Sequence, residues 1–165
     1  MSKSITVVNE LLVDIFNDIL VIEQNALSEG EFKDLSITEI HTIEAIGMYE
    51  ARTMSEVAAQ LRITVGTLTT AINNLVKKGY VERKRIEEDR RVVLIQLTKR
   101  GKLAFRVHNK FHTDMVKLTV NGLSENEEAV LIQSLDKLNR FFKSKYNINN
   151  VEKKEVKAVN LDFND

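Results

Sequence analysis

A chain of 165 residues with an ordinary apolar share is the size of one compact subunit and can bury one core. It holds no cysteine, which removes disulfides, thiolate catalysis and thiol redox sensing together, and no proline, which favours long unbroken helices. Lys+Arg and Asp+Glu balance at 24 each, no apolar run reaches the roughly 18 residues needed to span a membrane, and no signal peptide is visible, so a cytoplasmic protein is expected.

Ile5, Val8, Leu12, Ile15, Ile19, Ile22 and Ala26 step by three and four, which predicts a long first helix. Leu11, Phe16 and Leu20 widen the stripe, so this helix is expected to touch its own subunit and another. SEGEFK is a polar break, after which Ser36 with Glu39 forms a capping box for a helix ending at Gly47. Met48–Arg52 reads as a short link. Thr53 with Glu56 caps the next helix, whose apolar face is Val57, Ala58 and Leu61. Thr64 caps another, with Val65, Leu68, Ala71, Ile72 and Leu75 predicted to pack inward and Gly79 to end it. Tyr80–Arg85 and Val92–Leu97 read as strands joined by a turn at 86–91. A helix from Thr98 to the Asn121–Gly122 turn should face a core with Leu103, Ala104, Val107, Phe111, Met115 and Leu118. Ser124 with Glu127 opens the last helix, and residues 147–165 form a polar tail expected to be disordered.

Helix, turn, helix and basic hairpin make a winged helix-turn-helix. The expected class is mainly α with a small β-hairpin wing and a helical dimerisation base. One subunit would span 1–146, with dimerisation helices at 4–27 and 98–146 and the winged helix-turn-helix at 35–97. The second helix of the pair presents Thr64, Gly66, Thr67, Thr69, Thr70, Asn73, Asn74 and Lys77 outward. Small hydroxyl and amide side chains suit the major groove, where Asn pairs with adenine and a Thr methyl meets the thymine methyl. Gly66 lets the helix N-terminus approach a phosphate. Arg83, Lys84, Arg85, Arg90 and Arg91 on the hairpin suit phosphates and a narrow minor groove. Charge is segregated accordingly: residues 1–50 hold two basic and ten acidic side chains, whereas 76–102 hold ten basic and four acidic. Such a local excess governs attraction to DNA, because charges act over roughly a Debye length. Two copies about a twofold axis would read a pseudo-palindromic operator, A·T-rich if the Thr/Asn face is a guide.

ITVGTLTTAINNLVKKGYVER followed by EEDRRVVLIQLTKRG resembles the MarR family of dimeric bacterial regulators, over about residues 5–145. The resemblance implies a homodimer, makes Arg91 the wing-tip arginine of the minor groove, and makes Asp89 the acid that braces the wing. VIEQNAL, FKDLSITEIHTIEAIG and RVHNKFHTDMV are similar to the FabT-type branch, the fatty-acid-synthesis repressors of Gram-positive bacteria. That implies long-chain acyl groups on acyl carrier protein as corepressor. Lys99, Lys102, Arg106 and Lys110 step along one face of the post-wing helix, with Arg100 nearby, and could receive this acidic partner.

Zinc-responsive members of the family use a Glu and three His in places matching Glu23, His41, His108 and His112. Their second cluster contains a cysteine that this chain lacks, so these histidines are expected to hydrogen-bond within the dimer core and no cofactor is required. A zinc-responsive repressor, and a regulator of another small apolar effector, remain the alternatives. An enzyme is not expected: there is no G-x-S-x-G, no phosphate-binding Gly loop and no Cys nucleophile, and Glu87, Glu88 and Asp89 sit in a solvated turn beside arginines.

Overall fold

The computed structural model describes residues 3–85 and 93–146. In chain order the elements are α1 (Lys3–Glu29), α2 (Ile37–Ile46), β1 (Arg52–Thr53), α3 (Met54–Leu61), α4 (Val65–Lys77), β2 (Val81–Arg85), β3 (Val93–Leu97), α5 (Lys99–Val120) and α6 (Glu125–Lys145). The chain divides into two compact units, residues 1–110 and 111–165. The 86–91 turn with Asp89, Arg90 and Arg91, the side chain of Arg85 and the tail 147–165 lie outside the described residues.

Helix starts follow local chemistry. Ser36, Thr53 and Ser124 each accept from the backbone three residues on, and Glu39, Glu56 and Glu127 each reach back to the cap, so three complete capping boxes form. Each satisfies two donors that a helix start leaves open, and a cap of this kind contributes about 1 kcal/mol. Gly79 (φ +78°) closes α4: its N–H donates to the Val76 carbonyl at 3.0 Å and that of Tyr80 to Leu75 at 2.9 Å. A left-handed residue is cheapest as glycine.

The sheet order is β1-β3-β2, antiparallel throughout, with Arg83 opposite Ile95 and Arg52 also opposite Ile95 on the other side. The sequence reading missed β1 and took Arg52 for part of a link. Two residues are too short to show alternation, and the partner strand lies some forty positions downstream. Arg52 also donates to the Ala45 carbonyl and to Gln60 Oε1, tying the end of α2 to α3.

The core of the first unit is made by Ile40, Ile43 and Ile46 of α2, Val57 of α3, Leu68, Ile72 and Leu75 of α4, Tyr80, and Ile95 and Leu97 of β3, all essentially inaccessible. Of the inward set expected on α3, Val57 and Ala58 are buried and Leu61 is half-buried; of that on α4, Leu68, Ile72 and Leu75 are buried and Ala71 is half-buried. Val65 is the exception at 44 % exposed, because the first turn of α4 projects beyond the core and leaves it on the surface. On α5 only Ala104 of the expected apolar set is buried, and Leu118 is 75 % exposed. α1 buries Glu23 and Leu27 while Ile5, Val8, Leu11, Ile15 and Phe16 stay exposed, and α6 buries nothing. Among the described residues no helix is long and apolar enough to cross a membrane.

Candidate nucleic-acid interface

The turn between α3 and α4 is three residues, Arg62–Ile63–Thr64. Arg62 is left-handed (φ 57°), and its N–H and that of Ile63 donate to Ala59 and Ala58 at 3.1 and 3.0 Å, which closes α3 without a glycine. Thr64 then caps α4: its Oγ1 accepts from the Thr67 N–H at 3.1 Å and lies 2.9 Å from the Thr67 hydroxyl. With Leu68, Ile72 and Leu75 inward, the opposite face is held outward by packing.

Gly66, Thr67, Thr70, Asn73, Asn74 and Lys77 are all exposed on α4. Thr64 and Thr67 spend their hydroxyls on the cap, and Thr69, only half-exposed, donates to the Val65 carbonyl at 2.7 Å. A hydroxyl so bonded leaves chiefly its methyl for a ligand. A Cβ added at Gly66 would meet nothing nearer than Thr64 Oγ1 at 3.7 Å, so space at the helix N-terminus is open. On β2, side chains alternate, putting Arg83 on the face of buried Val81 and Glu82 and Lys84 on the other. Arg83 reaches α4, where its Nη2 donates to Asn73 Oδ1 at 2.6 Å. Lys84 is exposed, and Glu82 accepts from Gln96 of β3.

Sequence reasoning did not find the cluster that fixes the far end of α4. Lys78 Nζ donates to both Glu39 oxygens, at 2.7 and 2.9 Å, and to the Asp34 carbonyl. Tyr80 donates its hydroxyl to Asp34 at 2.7 Å, and Arg100 lies over the Tyr80 ring (4.3 Å to the centroid) while donating to the Lys78 carbonyl at 2.8 Å. Burial and the Asp34 carboxylate push the Tyr80 phenol well above its ordinary range, so it stays a donor. Burial favours the neutral form of Glu39, but the Lys78 ammonium and the Ser36 N–H outweigh it and hold its carboxyl below the usual value. The sign follows: this contribution is present above the unfolded pKa near 4.5 and is lost as pH falls through the folded value. Replacing Lys78 by Met is therefore expected to cost about 1–2 kcal/mol at pH 7, the pair being partly solvated. The deficit should shrink as pH falls below the unfolded value of 4.5 and through the lower folded one, as read by urea unfolding at neutral and acid pH.

The expected docking stripe is partly committed elsewhere. Lys99, Arg106 and Lys110 are exposed and Lys102 is half-buried, whereas Arg100 is turned onto Tyr80 and Asp34.

Three of the four singled-out metal candidates meet inside the first unit. Glu23 Oε1 of α1 accepts from His41 Nε2 of α2 at 3.1 Å and from His108 Nε2 of α5 at 3.0 Å, and His108 Nδ1 donates to Glu44 Oε1 at 2.8 Å. Carboxylates only accept, so an imidazole with one on each nitrogen carries both protons. Burial disfavours that charge, but the bond to Glu44 and the charges of Glu44 and Glu23 prevail and raise the His108 pKa. His112 follows one turn later on α5.

A helix held outward by a packed core, beside a basic two-stranded wing, defines a winged helix-turn-helix DNA-binding transcriptional regulator. Residues 33–92 match the MarR family model. The chain is 47 % identical to Streptococcus pneumoniae FabT, solved in complex with DNA, over 85 % of this chain and 98 % of that one, with a TM-score of 0.81. It is 29 % identical over 114 residues to the transcriptional regulator BilQ of Clostridium symbiosum, spanning 68 % of this chain and 78 % of that one. Escherichia coli MarR, at 24 % identity and a TM-score of 0.62 over 79 % of this chain and 95 % of its own, shares the fold. The chain belongs to the MarR family and is not an enzyme.

Proposed function

We propose that this regulator represses fatty-acid-synthesis genes as a homodimer on a pseudo-palindromic operator, with long-chain acyl-acyl carrier protein as corepressor. The observation that carries this is the 47 % identity to S. pneumoniae FabT across nearly all of that protein. The exposed apolar stripe of α1 and the wholly unburied α6 support a dimer, since apolar faces of this length are stable in water only when covered. In it Thr67, Thr69, Thr70 and Asn73 meet bases, Thr64 and Gly66 receive a phosphate at the helix start, and Asn74, Lys77, Arg83, Lys84, Arg85 and Arg90 flank the backbone. Arg91 enters the minor groove and Asp89 braces the wing.

The test is a gel shift on genomic fragments recovered with the protein. Palmitoyl-acyl carrier protein should tighten binding, and the fragments should lie ahead of fatty-acid-synthesis genes. Reversing Lys102 and Arg106 to Glu should abolish the tightening and spare binding without it, because these side chains would face the acidic carrier rather than DNA. Enhancement that survives the double reversal excludes the stripe Lys99, Lys102, Arg106 and Lys110 as its dock, and fragments ahead of unrelated genes contradict the fatty-acid reading.

A second reading rests on the histidine cluster. One donor atom from each of Glu23, His41 and His108 lies within 4.8 Å of the others, and Glu44 on His108 Nδ1 supplies the carboxylate that orients a metal-bound imidazole. The residues fit zinc provided His108 gives up its Nε2 proton. Zinc in place of the acyl carrier protein, in the same gel shift, separates the two.

A further inference from the structure

We propose that Arg83 of the wing sets which base Asn73 of the recognition helix reads, by holding the acceptor half of its amide. The inference rests on α4 reading bases and goes beyond it to the identity of one base.

A guanidinium has donors only, so the Asn73 atom that faces it at 2.6 Å is necessarily the carbonyl oxygen. The bond is charge-assisted and therefore stronger than the neutral kind. Its base is rigid on both sides. Asn73 follows buried Ile72 on α4, and Arg83 sits on β2 in register with Ile95, two residues after buried Val81. The amide is thus turned with Oδ1 toward the wing and its two Nδ2 hydrogens away from it.

That orientation changes the code. Asn selects adenine by accepting from N6 and donating to N7 at once, which needs both amide atoms at the base edge. One bond leaves Oδ1 a second lone pair, so the proposal is one of direction: the guanidinium draws the whole oxygen to the wing side, and Asn73 meets the base edge with its Nδ2 hydrogens. Guanine offers two acceptors, N7 and O6, and thymine offers O4, whereas the adenine N6 amino group meets a second donor. The position read by Asn73 should prefer guanine or thymine, even inside an A·T-rich operator. Arg83 consequently acts as a specificity-positioning residue, and its role differs from that of Lys84, whose side chain lies on the other face of the strand.

The experiment is selection from a randomised duplex library with the full chain, comparing wild type, Asn73→Ala, Arg83→Met and the double variant. Asn73→Ala identifies the position by flattening its preference. Wild type should favour guanine or thymine there. Arg83→Met should shift that one position toward adenine by roughly tenfold, the scale of one good bidentate contact, and the double variant should show no preference. Both side chains are exposed, and matched circular dichroism and melting temperatures check that the variants fold. Adenine favoured by wild type overturns the proposal. So does an Arg83→Met protein that loses the same factor on every sequence with the preference unchanged, since Arg83 would then be a phosphate contact only. If Asn73→Ala alters no position, Asn73 reads no base and the proposal falls. Selected sites away from fatty-acid genes would instead count against the corepressor reading and leave this one standing.

Discussion

Gly101→Ala should be among the most damaging single-methyl additions in this protein, costing about 2–3 kcal/mol and lowering the melting temperature by roughly 4–12 °C. A Cβ on Gly101 would stand 2.1 Å from the Tyr80 carbonyl oxygen and 3.3 Å from the Leu97 Cβ. The obstacle is backbone, and it cannot rotate aside. The Tyr80 carbonyl already accepts from the Thr98 N–H at 3.0 Å, and the Thr98 hydroxyl donates to Gly79 at 2.7 Å while accepting from the Gly101 N–H at 3.1 Å. These bonds press the start of α5 against the turn that ends the recognition helix, so relief of the clash would have to move one or the other. DNA affinity should fall with stability. Gly66→Ala is the control: its Cβ would meet nothing closer than 3.7 Å, and alanine is the better helix former, so free-protein stability should be unchanged or slightly higher. Thermal unfolding reads both. A Gly101→Ala protein melting within a degree of wild type would contradict the packing described.

The second large effect concerns the buried ion cluster. Glu23 is 2 % exposed and His108 4 %, so removing either one leaves the other a bond short with little water to replace it, although His108 keeps Glu44 and Glu23 keeps His41. Glu23→Ala is expected to cost about 1.5–3 kcal/mol, the scale of one charge-assisted hydrogen bond, because His108 keeps Glu44 on its other nitrogen. Its pH dependence has a defined direction. The His108 pKa is raised above its unfolded value of 6.5, so the stabilisation is full below that value and is lost as pH rises through the folded one. Urea midpoints of chelator-treated wild type and His108→Gln should therefore differ most at acid pH and converge as pH rises. A gap that widens with rising pH would show that His108 is neutral in the fold.

What could be read in the sequence follows the distance between partners. Ser36 with Glu39, Thr53 with Glu56 and Ser124 with Glu127 are three residues apart, and each capping box formed as written. The strands on either side of residues 86–91 were equally legible, because alternation and flanking charge are local signals. Lys78 was not, since its partners Asp34 and Glu39 lie 44 and 39 positions away and a lysine beside a glycine carries no sign of them. The Arg83–Asn73 bond escaped for a different reason. Asn73 was singled out as outward-facing and Arg83 as a hairpin cation, but neither signal says that the two bond one another. Glu23, His41 and His108 were picked out by resemblance, and helix spacing alone would not have joined α1, α2 and α5 at one point. Val65 fits the helical period of the inward set, yet the core does not extend far enough to cover it.

In the proposed function α4 reads base sequence while the basic wing supplies the phosphate contacts. Affinity for a selected operator and for a scrambled duplex of equal composition, each titrated from 50 to 300 mM salt, tests it most directly. Both logarithmic plots should fall steeply, by about 0.9 per phosphate neutralised, with the operator held tighter by about a thousandfold or more throughout. Equal affinity for the two duplexes, or binding indifferent to salt, would contradict it.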